Sequence, residues 1–361
     1  MNSVVIGLNF GDEGKGVVTN FLAKTTNRDV VRYSGGSQAG HTVVENGIKH
    51  VFSGFGSGTL SGKSTYWEDA CPFDPVSVMN EMAILKEKTR KTPQLYVSSK
   101  CPLVTPMDKF ANRQGVYLEN GTCGSGIGTT ITREEANYHL LLEDTFNSFI
   151  FREKFIQIQK YYKDITPIEE YEFYFKSINL LLDLIKPFKK NSISYTNHIF
   201  ESSQGLLLDP EMGIFPHVTR IPLGIEAASK YGKIDEVWYV TRAYLTRHGN
   251  GPMPNETFPE GLILNENETN ITNDYQGNFR VGTLDLSLLL STLIRNLGES
   301  PSIRYNLVIT CLDQFPSGKI PVITRQETKL FSIKEIAQIL TPFVEIYACD
   351  SDTGNIIKVD I

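Results

Sequence analysis

Cysteine is scarce and poorly placed for cross-linking: Cys71, Cys101, Cys123, Cys311 and Cys349 are far apart, odd in number and without a CxxC pair. A disulfide framework and a structural zinc site both need paired or closely spaced ligands, so neither is expected. Positive charge is short as well. Lys and Arg number 35 against 41 Asp and Glu, a formal net charge of -6. A chain without a basic excess lacks the footprint of nucleic-acid or anionic-membrane binders. Long apolar runs are missing too. The opening MNSVVIGLNFGDEGKG is broken by Gly7 and Asn9 before it can form a signal peptide or a span, and a cytoplasmic protein is expected. Without a secretion signal, the sequons at Asn255, Asn267 and Asn270 read as ordinary loop polarity.

What is present is a globular composition, 361 residues with 40% apolar and 21% charged side chains. Short β-branched runs at residues 4–8, 30–33, 237–244, 307–312 and 344–348 alternate with helical stretches, the pattern of an α/β fold with a mostly parallel sheet. Residues 284–297 are apolar almost all round and predict a buried helix, and residues 333–340 predict another, capped by Ser332. Residues 147–190 mix aromatics and charges at helical spacing and read as a helical insertion beside the sheet within a single large domain, 1–361. Residues 258–278 have no periodicity and are the candidate mobile loop.

Directly after the first strand comes Gly11-Asp12-Glu13-Gly14-Lys15-Gly16, and Val17 opens an apolar, helix-like stretch. A strand, a glycine turn and a helix start make a phosphate cradle, because glycine lets N–H groups approach an anion and the helix dipole favours negative charge there. Lys15 adds a point charge. The turn departs twice from the G-x-x-x-x-G-K-[ST] phosphate loop, with Asn9 in place of its first glycine and Gly16 after the lysine. It carries two acids instead. A carboxylate beside phosphate needs a divalent cation or a proton-transfer task, and Asp12 is read in that way. His50, His139 and His198 read as packing or hydrogen-bonding residues, whereas His41, within Gly-His-Thr just after a strand, reads as a catalyst.

Taken with GGSQAGHT at residues 35–42, the turn resembles the adenylosuccinate synthetases, whose paired loops read GDEGKG and GGxNAGHT. The likeness continues in order through GTCGSGIG at 121–128, FESSQGLLLDPEMGIFPHVT at 200–219, RAYLTRHGNGPMP at 242–254, VGTLD at 281–285, TCLD at 310–313 and SDTG at 351–354. The resemblance implies a P-loop-NTPase-like sheet and a ligase. A nucleoside triphosphate phosphorylates the 6-oxo group of a purine monophosphate, and the amine of L-aspartate then displaces the phosphate. It places proton transfer and oxyanion stabilisation on Asp12 and His41, with Lys15 as the third catalytic residue. Mg²⁺ falls to Asp12 and the Gly40 carbonyl. The triphosphate, ATP or GTP, falls to the glycine turn and Val17 with Gly40, His41, Thr42, Thr310, Asp313, Ser351 and Gly354. For the monophosphate the implied set is Asp12, Gln38, Ala39, Gly40, Thr122, Cys123, Gln204 and Thr219, with Arg133 reaching across a homodimer interface. Gly277, Asn278 and Arg280 are the implied aspartate contacts.

Several residues depart from that pattern. YQGNFRVG keeps a single arginine, Arg280, of an arginine-rich loop, and Ser125 stands where a second arginine is expected. The guanine-reading TKLD is Thr310-Cys311-Leu312-Asp313, so the donor base could be adenine or guanine. The short length, FPHVTR, TRHGNGPMPNE and TPMDKFAN are similar to the viral and archaeal branch that makes 2-aminoadenylosuccinate from dGMP or GMP. Viral members of that branch can carry Ser at the position of Asp12. The expected substrate is therefore dGMP or GMP, with IMP as the near alternative. An NTPase or kinase without ligase activity, and an inactive nucleotide binder, are the other classes.

Overall fold

Ser3–Gly7 is buried along its whole length, and its side chains go alternately to two cores, Val4 and Ile6 to one and Val5 to the other. A strand covered on both faces belongs in the middle of a parallel sheet with elements packed above and below. The computed structural model describes residues 1–114, 122–163, 166–266, 268–269, 277–298, 302–325, 327–351 and 354–361. Gly121, the sequon asparagine Asn267, residues 270–276 of the 258–278 loop (Asn270 among them) and the central pair of SDTG lie outside the described residues.

In chain order the strands are β1 (Ser3–Gly7), β2 (Asp29–Arg32), β3 (His41–Glu45), β4 (Ile48–Phe52), β5 (Thr65–Trp67), β6 (Leu95–Ser98), β7 (Lys186–Phe188), β8 (His198–Gly205) and β9 (Glu236–Arg242). They continue with β10 (Leu245–His248), β11 (Phe279–Gly282), β12 (Leu284–Asp285), β13 (Arg304–Thr310), β14 (Ile320–Thr324), β15 (Glu327–Phe331), β16 (Glu345–Ala348) and β17 (Ile357–Lys358). The main sheet runs β17-β16-β13-β9-β1-β8-β2-β5-β6-β7. It is parallel throughout except at the β16–β17 edge. The chain is thus a single α/β domain with a large, mostly parallel central sheet. Two small hairpins, β3–β4 and β10–β11, stand beside its C-terminal edge. The ends of β1, β8, β9 and β13 meet there, and such sheets collect ligands at that edge.

The five apolar runs named above become β1, β2, β9, β13 and β16. Ser332 caps Ile333–Leu340 with a reciprocal Ser332–Glu335 box. The 147–190 region forms two helices, Ser148–Tyr162 and Ile168–Leu182, which bury Phe155, Tyr174 and Ile178 in one core with Trp67 and Phe73, but it is not helical throughout, since Lys186–Phe188 is β7, paired with β6 at the edge of the main sheet. The helix Leu286–Arg295 corrects the expectation of burial all round. Leu289 and Leu293 are fully covered, but Ile294 is 50% exposed, because the helix lies on the outside of the fold and has a neighbour on one face only. Within the 258–278 loop, Leu262 is buried in the main core and the Ile263 N–H donates to the Gln314 carbonyl at 2.9 Å. Among the described residues, no helix is long and apolar enough to cross a membrane.

Candidate active site

The glycine turn separates its two acids. Glu13 folds inward, where its carboxylate takes the N–H groups of Asn9 at 3.1 Å and Gly11 at 2.9 Å and pairs with Lys15 Nζ at 2.7 Å. Space for it exists because residues 7 and 205 are glycines; a Cβ on either would lie within 2.3 Å of the carboxylate. Asp12 remains beside the helix start, in a left-handed conformation (φ 60) and half-buried. Its carboxylate accepts no hydrogen bond among the described residues. Burial raises the carboxyl above the usual carboxylate range, against the pull of Arg242 and Lys15. The helix Lys15–Thr26 has Gly14 at its N-cap with no side-chain cap, so its first turn keeps N–H groups for an anion.

Gly16 explains the departure from the Ser/Thr phosphate loop. A Cβ there would lie 2.9 Å from the Cβ of His41, so the helix can touch β3 only through glycine. His41 is 5% exposed; its Nδ1 meets Glu201 at 2.8 Å and its Nε2 lies 3.3 Å from the Ser203 carbonyl. Glu201, at the centre of β8, also accepts from Ser57 N and Oγ. Burial would raise its carboxyl, but the charge and hydrogen bond of His41, then Arg32 and Ser57, hold it at about 2, well below the ordinary 4.5. A depressed carboxylate contributes stability that is present above about 4.5 and is lost as pH falls towards 2. Urea unfolding at a series of pH values should therefore fall more steeply through that window in the wild type than in Glu201→Gln. Parallel profiles would show that the buried carboxyl does not titrate there.

Two cavities open at this edge. One of about 180 Å³ is walled by the glycine turn, residues 38–42, Arg242, Thr310, Asn265, Glu268 and Thr269. Another of about 350 Å³ is walled by Thr122, Cys123, Thr219, Arg247 and the 215–217 loop. Gln38, Gln204, Leu208 and His248 line both, so the cavities adjoin. Asp12, Lys15, Gly40, His41, Thr42, Thr310 and Ser351 all face the first, together with Ala39. Four of the residues expected at the monophosphate, Thr122, Cys123, Gln204 and Thr219, face the second.

Other expectations need correction. Arg133 is fully buried and uses every N–H internally, on Asp108, Glu134 and the carbonyls of Leu103 and Tyr138, so it has none for a phosphate. The Gly11 N–H is spent on Glu13, and the Glu13 side chain is a strut of the loop rather than a ligand group. Asp313 is turned to Ser351, whose N–H and hydroxyl occupy both carboxylate oxygens, and neither Asp313 nor Gly354 lines the cavities. Gly277, Asn278 and Arg280 line neither cavity. Gly277 gives its carbonyl to His248 Nε2 at 3.2 Å, the Asn278 carbonyl takes Gly249 N–H at 3.3 Å, and Arg280 pairs with Glu256 at 3.0 Å and the Gly251 carbonyl at 2.7 Å.

Sequence reasoning missed Arg242, Arg247 and His248 as individual side chains. Arg247 lies opposite Arg280 in the β10–β11 pair and stacks on Phe10 at 4.7 Å. Among the described residues its hydrogen bonds go to the carbonyls of Asn250, Pro252 and His217. Burial and then the neighbouring Arg280 lower it to about 10. Two adjacent arginines sharing one carboxylate, Glu256, could accommodate a further anion.

The sequence profile of the family described as Adenylosuccinate synthetase matches residues 4–325. The chain is 34% identical over 305 residues to an adenylosuccinate synthetase of Thermosipho africanus, an alignment that covers 80% of this chain and 75% of that one. It is 31% identical over 319 residues to that of Thermoplasma volcanium, covering 80% and 71%. Among solved structures, the fully ligated adenylosuccinate synthetase of Plasmodium falciparum superposes with a TM-score of 0.78 at 18% identity, covering 99% of both chains. The succinoaminodeoxyadenylate synthetase of cyanophage S-2L, bound to dGMP and dATP, gives 0.69 at 15% identity, covering 100% of this chain and 95% of that one. Phosphate turn, histidine hairpin and sheet order thus agree with a match that runs through most of the sequence, and the chain belongs to the adenylosuccinate synthetase family of carbon–nitrogen ligases.

Proposed function

We propose that this ligase condenses L-aspartate with C6 of a guanine nucleoside monophosphate, dGMP or GMP, at the expense of ATP or GTP. The observation that carries the chemistry is the adjacency of the cavities: Asp12 and His41 wall one, and four side chains are shared with the other. A purine seated across Gln38 and Gln204 would bring its N1–O6 edge towards both groups. Asp12, raised by burial, takes the N1 proton, and O6 attacks the γ-phosphorus as the β,γ-bridging bond breaks. His41, oriented by Glu201, would exchange the long contact of its Nε2 with the Ser203 carbonyl for one with O6 and the transferred oxygens, and so stabilise the charge that develops there. The aspartate amine then adds at C6, the C6–O bond breaks, and the amine's proton leaves with the departing phosphate.

The residues fit Mg²⁺. Among the described residues no trio of His, Cys, Asp or Glu could hold a metal, but Mg²⁺ is commonly bound by one or two carboxylates with substrate phosphates. The unbonded Asp12 carboxylate and the Gly40 carbonyl, both in the cavity wall, are the groups that would hold it. When bound, it would neutralise charge on the transferring phosphoryl group.

Guanine and hypoxanthine share O6 and N1–H and differ by the 2-amino donor. Gln38 Oε1 is buried without a partner among the described residues and supplies an acceptor between the cavities, which supports the guanine reading. The curated relatives, all described as adenylosuccinate synthetases, support IMP as the second reading. Cys311 in place of lysine, and an Asp313 engaged by Ser351, support a donor site open to either purine. A homodimer is the assembly we adopt from the resemblance, without Arg133 as its phosphate contact.

The test is to incubate the purified chain with aspartate, Mg²⁺, ATP or GTP and each monophosphate, and to resolve products by mass. Succinylated product from dGMP or GMP is expected, and product from IMP alone would remove the guanine reading. Triphosphate hydrolysis indifferent to aspartate, with no such product, would sink the ligase. For aspartate itself, Arg280→Leu should raise its apparent KM about tenfold or more while leaving both nucleotide KM values near wild type. Equal increases in all three would assign Arg280 to structure.

A further inference from the structure

Lys15 is not the freest cation of the phosphate cavity. Its ammonium is 2.7 Å from Glu13, with side-chain exposures of 2% and 1%, so its charge is already matched inside the loop. Arg242, at the end of β9, also lines the cavity. Its Nε donates to the Asp12 carbonyl, and its Nη1 donates to Tyr244 Oη at 2.6 Å and to Glu268 Oε2 at 2.8 Å. Neither N–H of Nη2 makes a hydrogen bond among the described residues, although Arg242 is only 7% exposed and lines the cavity. Arg242 Nη2 is not among the buried atoms left without a partner, so its two donors are open to the cavity and to whatever occupies it.

Its carboxylate partner comes from a different kind of place. Glu268 has Asn265 and Thr269 close by in the chain, and both touch the cavity wall. Thr269 Oγ1 meets Thr42 Oγ1 at 2.8 Å, and Asn265 Nδ2 donates to Ser351 Oγ at 3.2 Å. Thr42, Ser351 and Arg242 all line the phosphate cavity, so Thr269, Asn265 and Glu268 are each tied to it.

We propose that Arg242 clamps the triphosphate, and that Glu268 is a stand-in anion whose place on Arg242 the incoming phosphate takes. This rests on the triphosphate reading of the cavity given above. A phosphate oxygen satisfies the idle Nη2 donors and offers Nη1 the acceptor that Glu268 provides, and two anions cannot share the guanidinium without repelling each other. Exchange therefore breaks the Arg242–Glu268 pair when nucleotide arrives, while Thr269 and Asn265 keep their contacts with Thr42 and Ser351. Asp12 is held by its carbonyl to the same guanidinium, so phosphate binding also fixes the backbone that carries the proposed base.

The experiment measures equilibrium binding of MgATP, MgGTP and magnesium tripolyphosphate to the full chain, with no aspartate or monophosphate present. Glu268→Gln should tighten all three by about fivefold, since a competing charge is removed while the side-chain shape is kept. Arg242→Gln should weaken all three by about tenfold or more, Arg242→Lys should recover part of that loss, and the gain from Glu268→Gln should vanish in the Arg242→Gln background. Unchanged or weaker binding by Glu268→Gln, or the same gain without Arg242, overturns the proposal. Absence of triphosphate binding by the wild type would instead overturn the reading of the cavity on which it rests.

Discussion

Asp12→Asn is expected to lower turnover by about 100-fold or more, the loss typical of removing a general base. The substitution keeps the size and a left-handed tolerance at φ 60, which asparagine shares, so the turn should hold its shape. The Asp12 carbonyl, and with it the bond from Arg242, is untouched. What is lost is a carboxylate that burial has raised and that no neighbour hydrogen-bonds among the described residues. Monophosphate affinity, measured by direct titration, should stay within about threefold of wild type, because uniform binding is not what the carboxylate supplies. A variant that turns over near the wild-type rate would mean that N1 is deprotonated elsewhere.

His41→Asn should reduce turnover by a similar factor, about 100-fold or more, but with an additional cost to the fold. Its imidazole is the partner of a carboxylate buried in the middle of β8, and stripping one member from a buried pair costs about 3–5 kcal/mol because the other is left uncompensated. The two effects can be separated. In the double variant His41→Asn, Glu201→Gln the buried charge is gone, so thermal stability should recover much of the loss while turnover stays low. Recovery of turnover along with stability would show that His41 acts only by supporting the fold.

The phosphate turn could be read in the sequence because its grammar is local: an apolar run, glycines, a lysine and a helix start all fall within residues 3–26. His41 was legible for the same reason, through the short Gly-His-Thr segment that enters β3. Arg242, Arg247 and His248 were not, because their value comes from the pairings β9–β1, β9–β13 and β10–β11, whose partners (Ser3 and Glu236, Arg242 and Thr310, Arg247 and Arg280) are distant in the chain and outside any local motif. Arg133 misled for the converse reason. Its position in the chain suited a phosphate contact, but Asp108, on the neighbouring helix Pro106–Asn112, had already claimed the guanidinium. Glu13 shows how composition alone misjudges charge: two acids in a phosphate loop look repulsive until one is seen to be neutralised by Lys15. In Leu286–Arg295, apolar content indicated a helix but not how many sides would be covered.

The glycine at position 16 has a consequence for anyone tempted to graft an ordinary hydrolase loop onto this scaffold. A serine there would bring the hydroxyl usually offered to magnesium, but its β-carbon would arrive 2.9 Å from that of His41 and 3.2 Å from the Ser57 hydroxyl. Either the helix would back away, taking its amides off the nucleotide tail, or the imidazole would tilt out of line with Glu201. The missing β-carbon therefore lets donor chemistry and acceptor chemistry share one wall, and each half of the reaction limits how the other can be redesigned.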